Sequence, residues 1–194
     1  MAKYLFLVAH VDDAEISCGG LIAKLIERGD FVHVLSITDV YSDINLYDEF
    51  EASMKLLDVD IYQTDNFKTR QLNKHPNDIA DLARYWTSGF DYVFTHSAED
   101  RHDDHRTVAE QVRRVVNGNL VTFMTPCNGN ENSNYFVELN DEQLEKKIEA
   151  IACYRSQVHR PYMQPDFIRA QAIFNGVKCG VKYAEGYRII RKVE

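Results

Sequence analysis

Short runs of consecutive apolar residues alternate along this chain with segments whose apolar residues recur every three or four positions. The first pattern marks buried strands and the second marks helices with one buried face. Residues 3–9 read as a buried strand, and residues 20–28 carry Leu21, Ile22, Leu25 and Ile26 at helical spacing before Gly29, a residue suited to the position just past a helix. Residues 31–37 repeat the strand signal, and Thr38-Asp39 opens a polar loop ahead of a helix over 47–57. A short strand at 60–62, a loop through Lys74, a helix over 76–86 and a strand at 92–95 continue the alternation. After a polar stretch from His96 to His105, the pattern predicts a helix over 107–116, stopped at Asn117-Gly118. A strand at 120–124, a loop at 126–133 with the breakers Asn128-Gly129-Asn130, and an extended piece at 135–137 follow. Helices are expected over 141–154, capped by Asn140 or Asp141, and over 165–176, with a last strand or extended arm at 183–190.

Alternation of this kind implies an α/β fold: a Rossmann-like three-layer sandwich with a mostly parallel sheet, helices on both faces and right-handed crossovers. With 194 residues and no repeat, linker or low-complexity tract, a single domain spanning 1–194 is expected. In such sheets ligands bind beyond the carboxyl ends of the strands. Both polar clusters of this sequence follow predicted strands, so they are expected to meet although about ninety residues separate them.

Composition narrows the partners. A formal net charge of −8 repels phosphate backbones, which disfavours nucleic acid and suits a small-molecule partner better. The apolar runs are of strand length and the N-terminus lacks a signal-peptide pattern, so no membrane association is expected and the cytoplasm is the expected location. Four cysteines are spread without a Cys-x-x-Cys pair, and buried free thiols are the expectation. Oligomeric state stays open, a homo-oligomer included.

Candidate chemistry sits in the two clusters. In Ala9-His10-Val11-Asp12-Asp13-Ala14-Glu15, His10 and Asp13 supply nitrogen and oxygen donors of the kind Zn²⁺ accepts. In the stretch from His96 to His105, His102 and His105 stand three apart and share a face if a helix starts there, so one of them can complete a three-ligand centre while the other stays free. Such a centre leaves a position for water, and Asp12, not needed as a ligand, is the natural base for that water. The free histidine is a candidate acid or oxyanion partner. Single histidines are more often structural, and that reading is kept for His33, His75 and His159; loop aspartates often cap helices, as Asp103 or Asp104 would for the helix that follows.

The first cluster resembles the AHPDDAE signature of the LmbE-like (PIG-L) de-N-acetylase family, and His102-Asp103-Asp104-His105 resembles that family's later H-P/Q-D-H motif. Gly19-Gly20, Lys147 with Tyr154-Arg155-Ser156-Gln157, and Tyr183-Ala184-Glu185 are similar to further family features. The resemblance implies that His10, Asp13 and His105 bind the metal, that Asp12 deprotonates the attacking water, and that His102 stabilises or protonates the tetrahedral intermediate. It implies Zn²⁺ as cofactor, with Fe²⁺ or another divalent ion as the alternative, and hydrolysis of an N-acetyl group on an amino sugar or sugar conjugate. Arg70, Asn128, Tyr154, Gln157 and Glu185 are the candidate substrate contacts. Two positions depart from the pattern: Val11 replaces the usual proline and forgoes its φ restraint, and Asp103 brings an extra carboxylate, expected to cap the helix rather than to orient a ligand. The competing expectation is a non-catalytic Rossmann-like module that binds sugar or nucleotide beside a vestigial metal site. The loop after the first strand lacks G-x-G-x-x-G, which argues against a dinucleotide.

Overall fold

Strand β1 (Lys3–Val8) is buried over its last four residues and lies between two parallel neighbours, β2 (Phe31–Thr38) and β4 (Tyr92–His96). In the computed structural model, which describes residues 1–39, 44–129 and 132–193, a seven-stranded sheet is completed by β3 (Ile61–Phe67), β5 (Asn119–Phe123), β6 (Tyr135–Leu139) and β7 (Tyr183–Arg191). Its order is β3-β2-β1-β4-β5-β7-β6. The first five strands are parallel, and β7 is antiparallel to both of its neighbours. The expected α/β architecture with a mostly parallel sheet is therefore the observed one.

Side chains alternate across β1, and the two faces carry separate cores. Phe6 and Val8 pack with residues of α1 (Asp13–Glu27), α2 (Ile44–Leu56), α5 (Asp141–Ala152) and α6 (Pro165–Cys179). On the other face Leu5, Leu7 and Ala9 meet Ile79 and Ala83 of α3 (Pro76–Trp86) and Val108 and Val112 of α4 (Asp103–Val115). Burying each large side chain of this kind contributes about 1.5–3 kcal/mol. A sheet clamped between two helical layers thus presents its strand ends as a rigid rim. No helix among the described residues is long and apolar enough to cross a membrane.

Several boundaries differ from the expected ones for physical reasons. Helix α1 starts at Asp13, not at Gly20, and runs through Gly19-Gly20. A Cβ at Gly19 would lie 2.9 Å from Cγ of Lys147, and one at Gly20 would collide with Leu139, so this glycine pair marks close packing rather than a helix start. Strand β3 is longer than expected because it is an edge strand, bonded among the described residues to β2 alone, and tolerates polar residues where a central strand would not. The arm at the end of the chain is a full strand, β7. Asn140 caps α5 in a capping box with Gln143. Helix α4 begins earlier than expected, with His102 in the N-cap place, so Asp103 does not cap it; Asp103 is exposed and pairs with Arg106 instead. All four cysteines are free, but only Cys18 is buried. Residues 40–43 of the polar loop after β2, together with Asn130 and Glu131, lie outside the described residues, as does Glu194.

Candidate metal centre

The two polar clusters meet where β1 and β4 end side by side, the point at which chain connections leave the sheet in opposite directions. Ala9 is pinned there: its carbonyl accepts from the Thr38 hydroxyl (2.8 Å) and the Thr38 amide (3.1 Å), and its N–H donates to Nε2 of His96 (2.9 Å). The His10 N–H donates to Oδ2 of Asp13 (2.8 Å), folding that carboxylate back over the start of α1. Asp12 stands at the N-cap of α1, a place where aspartate ordinarily bonds a backbone amide. Its backbone is helical (φ −105°, ψ −11°) and its side chain makes no capping bond, so the carboxylate is left for the cleft. Burial, reinforced by the adjacent Asp13 charge, lifts the Asp12 carboxyl to about 6.

From the other side come the residues around the start of α4. The His102 ring accepts the Asp104 N–H at Nδ1 (3.2 Å), which leaves its proton on Nε2. Burial, then the charges of His105 and His10, lower its pKa and keep the ring neutral. Asp100 takes the His102 N–H on Oδ1 (2.8 Å) and Nδ1 of His105 on Oδ2 (3.0 Å). Asp104 is buried and accepts from Nε2 of His10 (3.1 Å) and from the Arg70 N–H (2.6 Å). Although burial pushes the Asp104 carboxyl upward, those partners hold it at about 2.

His10 and His105 therefore each spend one nitrogen on a carboxylate and turn the other inward. Nδ1 of His10 and Nε2 of His105 face each other at 3.2 Å, and each lies 3.3 Å from an oxygen of Asp13. When both rings are neutral, with their protons on the outer nitrogens, two lone pairs and a carboxylate converge here, and a cation competes with protons for those lone pairs. Donors bound at roughly 2.0–2.2 Å around a tetrahedral ion sit about 3.4 Å apart; His10 faces Oδ2 of Asp13 and His105 faces Oδ1, and with one ligand atom from each residue the three donors lie within 4.8 Å of one another, a grouping that could hold a divalent cation. Two other His/Asp groupings lie close by, His10 with His102 and Asp104, and His96 with Asp100 and His105. Both oxygens of Asp104 accept backbone amides, the oxygens of Asp100 are taken by the His102 amide and by Nδ1 of His105, and Nε2 of His96 is taken by Ala9, whereas the amide bond to Asp13 falls on Oδ2 and leaves Oδ1 facing His105. The electrostatics agree. Burial opposes charge on both rings, yet Asp104 and Asp13 lift His10 to about 9, and Asp13 and Asp100 lift His105 to about 10. Asp13, against the effect of its own burial, is held well below the usual carboxylate range by His105 and His96. The site is built to hold positive charge.

Beside this triangle opens a cavity of about 460 Å³, with Asp12, His102, Arg70, Asn128, Gln157 and Arg160 among its lining residues. Arg70, Asn128 and Gln157 thus sit where substrate contacts were expected. Tyr154 and Glu185 do not line it. Tyr154 is fully buried, with its hydroxyl donating to the Val11 carbonyl (2.8 Å) and lying 2.6 Å from Oε1 of Glu15. Glu185 accepts from Lys147 (2.5 Å), the Leu21 N–H (2.7 Å) and the Tyr187 hydroxyl (2.7 Å), tying α5 and β7 to α1. Asp100, Asp104 and Arg160 were not singled out from the sequence. The two aspartates lay inside the second cluster, but nothing in their spacing distinguished them from Asp103.

Residues 5–116, more than half of the chain and both clusters with it, match the model of the PIG-L family, described as GlcNAc-PI de-N-acetylase. The chain belongs to this family. Among solved structures, N,N'-diacetylchitobiose deacetylase from Pyrococcus horikoshii is similar over 97% of this chain and 83% of its own, with 25% identity and a TM-score of 0.79. The conserved protein TT1542 from Thermus thermophilus superimposes with a TM-score of 0.86 at 21% identity, over 100% of this chain and 97% of its own. GalB, the 4-carboxy-2-hydroxymuconate hydratase of Pseudomonas putida, shares the fold at 18% identity and a TM-score of 0.79, over 100% and 99% of the two chains. PIG-L membership and the deacetylase neighbour support a de-N-acetylase, an enzyme acting on an amide. The hydratase shows that one fold carries more than one reaction, so the reaction here is argued from the site.

Proposed function

We propose that this PIG-L protein is a metal-dependent deacetylase that hydrolyses the acetamide of an N-acetylated amino sugar or sugar conjugate. The observation that carries the reading is the inward-facing triangle of His10, Asp13 and His105 with an uncommitted carboxylate, Asp12, at its edge. When bound, the divalent ion, Zn²⁺ or alternatively Fe²⁺, acidifies water towards neutrality and polarises the amide carbonyl. Asp12 then has a base's work: it accepts the proton of the attacking water and hands it to the leaving nitrogen, so that acetate and a free amine result. Its carboxyl, lifted to about 6, is basic enough to accept that proton and acidic enough to return it. His102, neutral and protonated on Nε2, donates to the oxyanion that develops on the carbonyl oxygen. Arg70, Asn128 and Gln157 on the cavity wall bind sugar hydroxyls, and Arg160 and Tyr162 extend that surface. A module that only bound sugar would have no use for a carboxylate withheld from its helix cap.

The test is amine release from N-acetylglucosamine conjugates by the native protein, by the chelator-treated protein and by Asp12→Asn. Activity is expected to vanish with chelator and return with Zn²⁺ or Fe²⁺. Asp12→Asn is expected to bind metal normally and lose about 10²–10⁴-fold in kcat. Turnover that survives both treatments would sink the mechanism.

A further inference from the structure

The hydroxyl of Tyr154 is placed under the loop that carries Asp12, and nothing in the reaction as described uses it directly. Tyr154 stands between α5 and the short 3-10 turn Arg155–Gln157, more than a hundred and forty residues from the loop it touches. Its ring is fully buried. The hydroxyl proton lies between two acceptors, the carbonyl of Val11 (2.8 Å) and Oε1 of Glu15 (2.6 Å), and that carboxylate oxygen is also bonded by the Ser53 hydroxyl (2.8 Å). Glu15 belongs to α1, Ser53 to α2 and Tyr154 to the turn after α5, so a chain of bonds through three segments ends, at the Tyr154 hydroxyl, on one peptide, Val11–Asp12.

That peptide sets where the Asp12 carboxylate goes. Asp12 has no capping bond of its own to fix its side chain, and Val11 has no ring to fix its φ. The Ala9 and His10 side of the loop is held separately, through Thr38, His96 and Asp13. The metal ligands are thus anchored independently of Tyr154, whereas the orientation of Asp12 is not. The geometry points to Tyr154, braced by Glu15, as a positioning residue for Asp12: it fixes the Val11–Asp12 peptide so that the base faces the metal centre. The inference rests on Asp12 being the base. It explains a side chain expected to touch substrate that instead lies beneath the floor of the site.

Tyr154→Phe removes the hydroxyl and keeps the ring. In steady-state assays it is expected to lower kcat roughly 10–100-fold, the scale of a base misplaced by a fraction of an ångström to an ångström, while KM changes by less than about three-fold and metal content per chain stays at the native value. Glu15→Gln, whose amide oxygen can still accept from the Ser53 and Tyr154 hydroxyls, is expected to retain most of the native kcat. Glu15→Ala should fall as Tyr154→Phe does, and the double variant no further, because both substitutions break one chain of bonds. A crystal structure of Tyr154→Phe is expected to show the Asp12 carboxylate turned from its native direction, with His10 and Asp13 unmoved. Native kcat in Tyr154→Phe, a loss of metal and KM in step with kcat, or an Asp12 that keeps its place in that crystal overturns the inference. The crystal decides it even if no N-acetyl sugar is turned over, an outcome that would count against the deacetylase reading instead.

Discussion

An imidazole becomes a directed ligand only when its second nitrogen is held, and in this site carboxylates do the holding. Asp100 fixes the Nδ1–H of His105 at 3.0 Å and Asp104 the Nε2–H of His10 at 3.1 Å. Each carboxylate also makes its ring a stronger donor to the ion. Asp100→Asn keeps an acceptor oxygen but removes the charge, so metal affinity is expected to fall about 10–100-fold, measured by competition with a chromophoric chelator. Unchanged affinity would remove Asp100 from the site. At this scale the sequence was only partly legible. His102 and His105 could be paired from their spacing, and Asp12 and Asp13 from their place after a strand. Asp103 and Asp104 could not be told apart: one helical step of about 100° sends Asp103 to solvent and Asp104 beneath His10. Tyr154 was placed in the right region yet on the wrong side of its floor, because a polar residue beside a site looks the same from sequence whether it faces the ligand or the loop that bears it, and Glu185 is spent on the packing of α1 against α5 and β7.

Helix α1 shows how an element can be misread by its own packing. Gly19-Gly20 looks like a break, yet the helix passes through it because α5 and β6 press against that face: Lys147 on one glycine and Leu139 on the other. The Gly20 amide also donates to Glu185 (3.1 Å). Gly20→Ala sets two effects against each other. Alanine favours the helix by about 0.5–1 kcal/mol, but its Cβ would collide with Leu139, and overpacking of this kind costs about 1–3 kcal/mol. The clash wins, and Gly20→Ala is expected to be destabilised by about 1–2 kcal/mol, read from the midpoint of denaturant unfolding. A variant as stable as the native chain would show that Leu139 has room to move. The edge strand β3 was underread for the opposite reason. With one bonded neighbour and half-buried side chains, it needs no apolar run, and the pattern that betrays central strands is missing.

For the molecule as a whole, the alternation of elements was enough to foresee a parallel sheet and a site at its carboxyl rim, since each crossover must return the chain to the same end. Hidden from it was the antiparallel entry of β7 between β5 and β6, a pairing that no local pattern encodes. The topology also makes the metal a folding partner. His10 and Asp13 arrive on the β1 side and His105 on the β4 side, so the three donors converge only when the sheet is formed. An ion that binds the folded chain and not the unfolded one stabilises it by about 4 kcal/mol at a thousand times its Kd. In a chain of this size each kcal/mol moves Tm by about 2–4 °C. Chelation is therefore expected to lower Tm by about 8–16 °C, with the loss reversed on adding the ion back. His105→Ala, in which the triangle cannot close, is expected to melt at one temperature with or without chelator, measured by calorimetry on the same samples. If the native protein and His105→Ala lose the same number of degrees to chelator, the stabilising ion binds elsewhere, and the triangle of His10, Asp13 and His105 is not the metal centre.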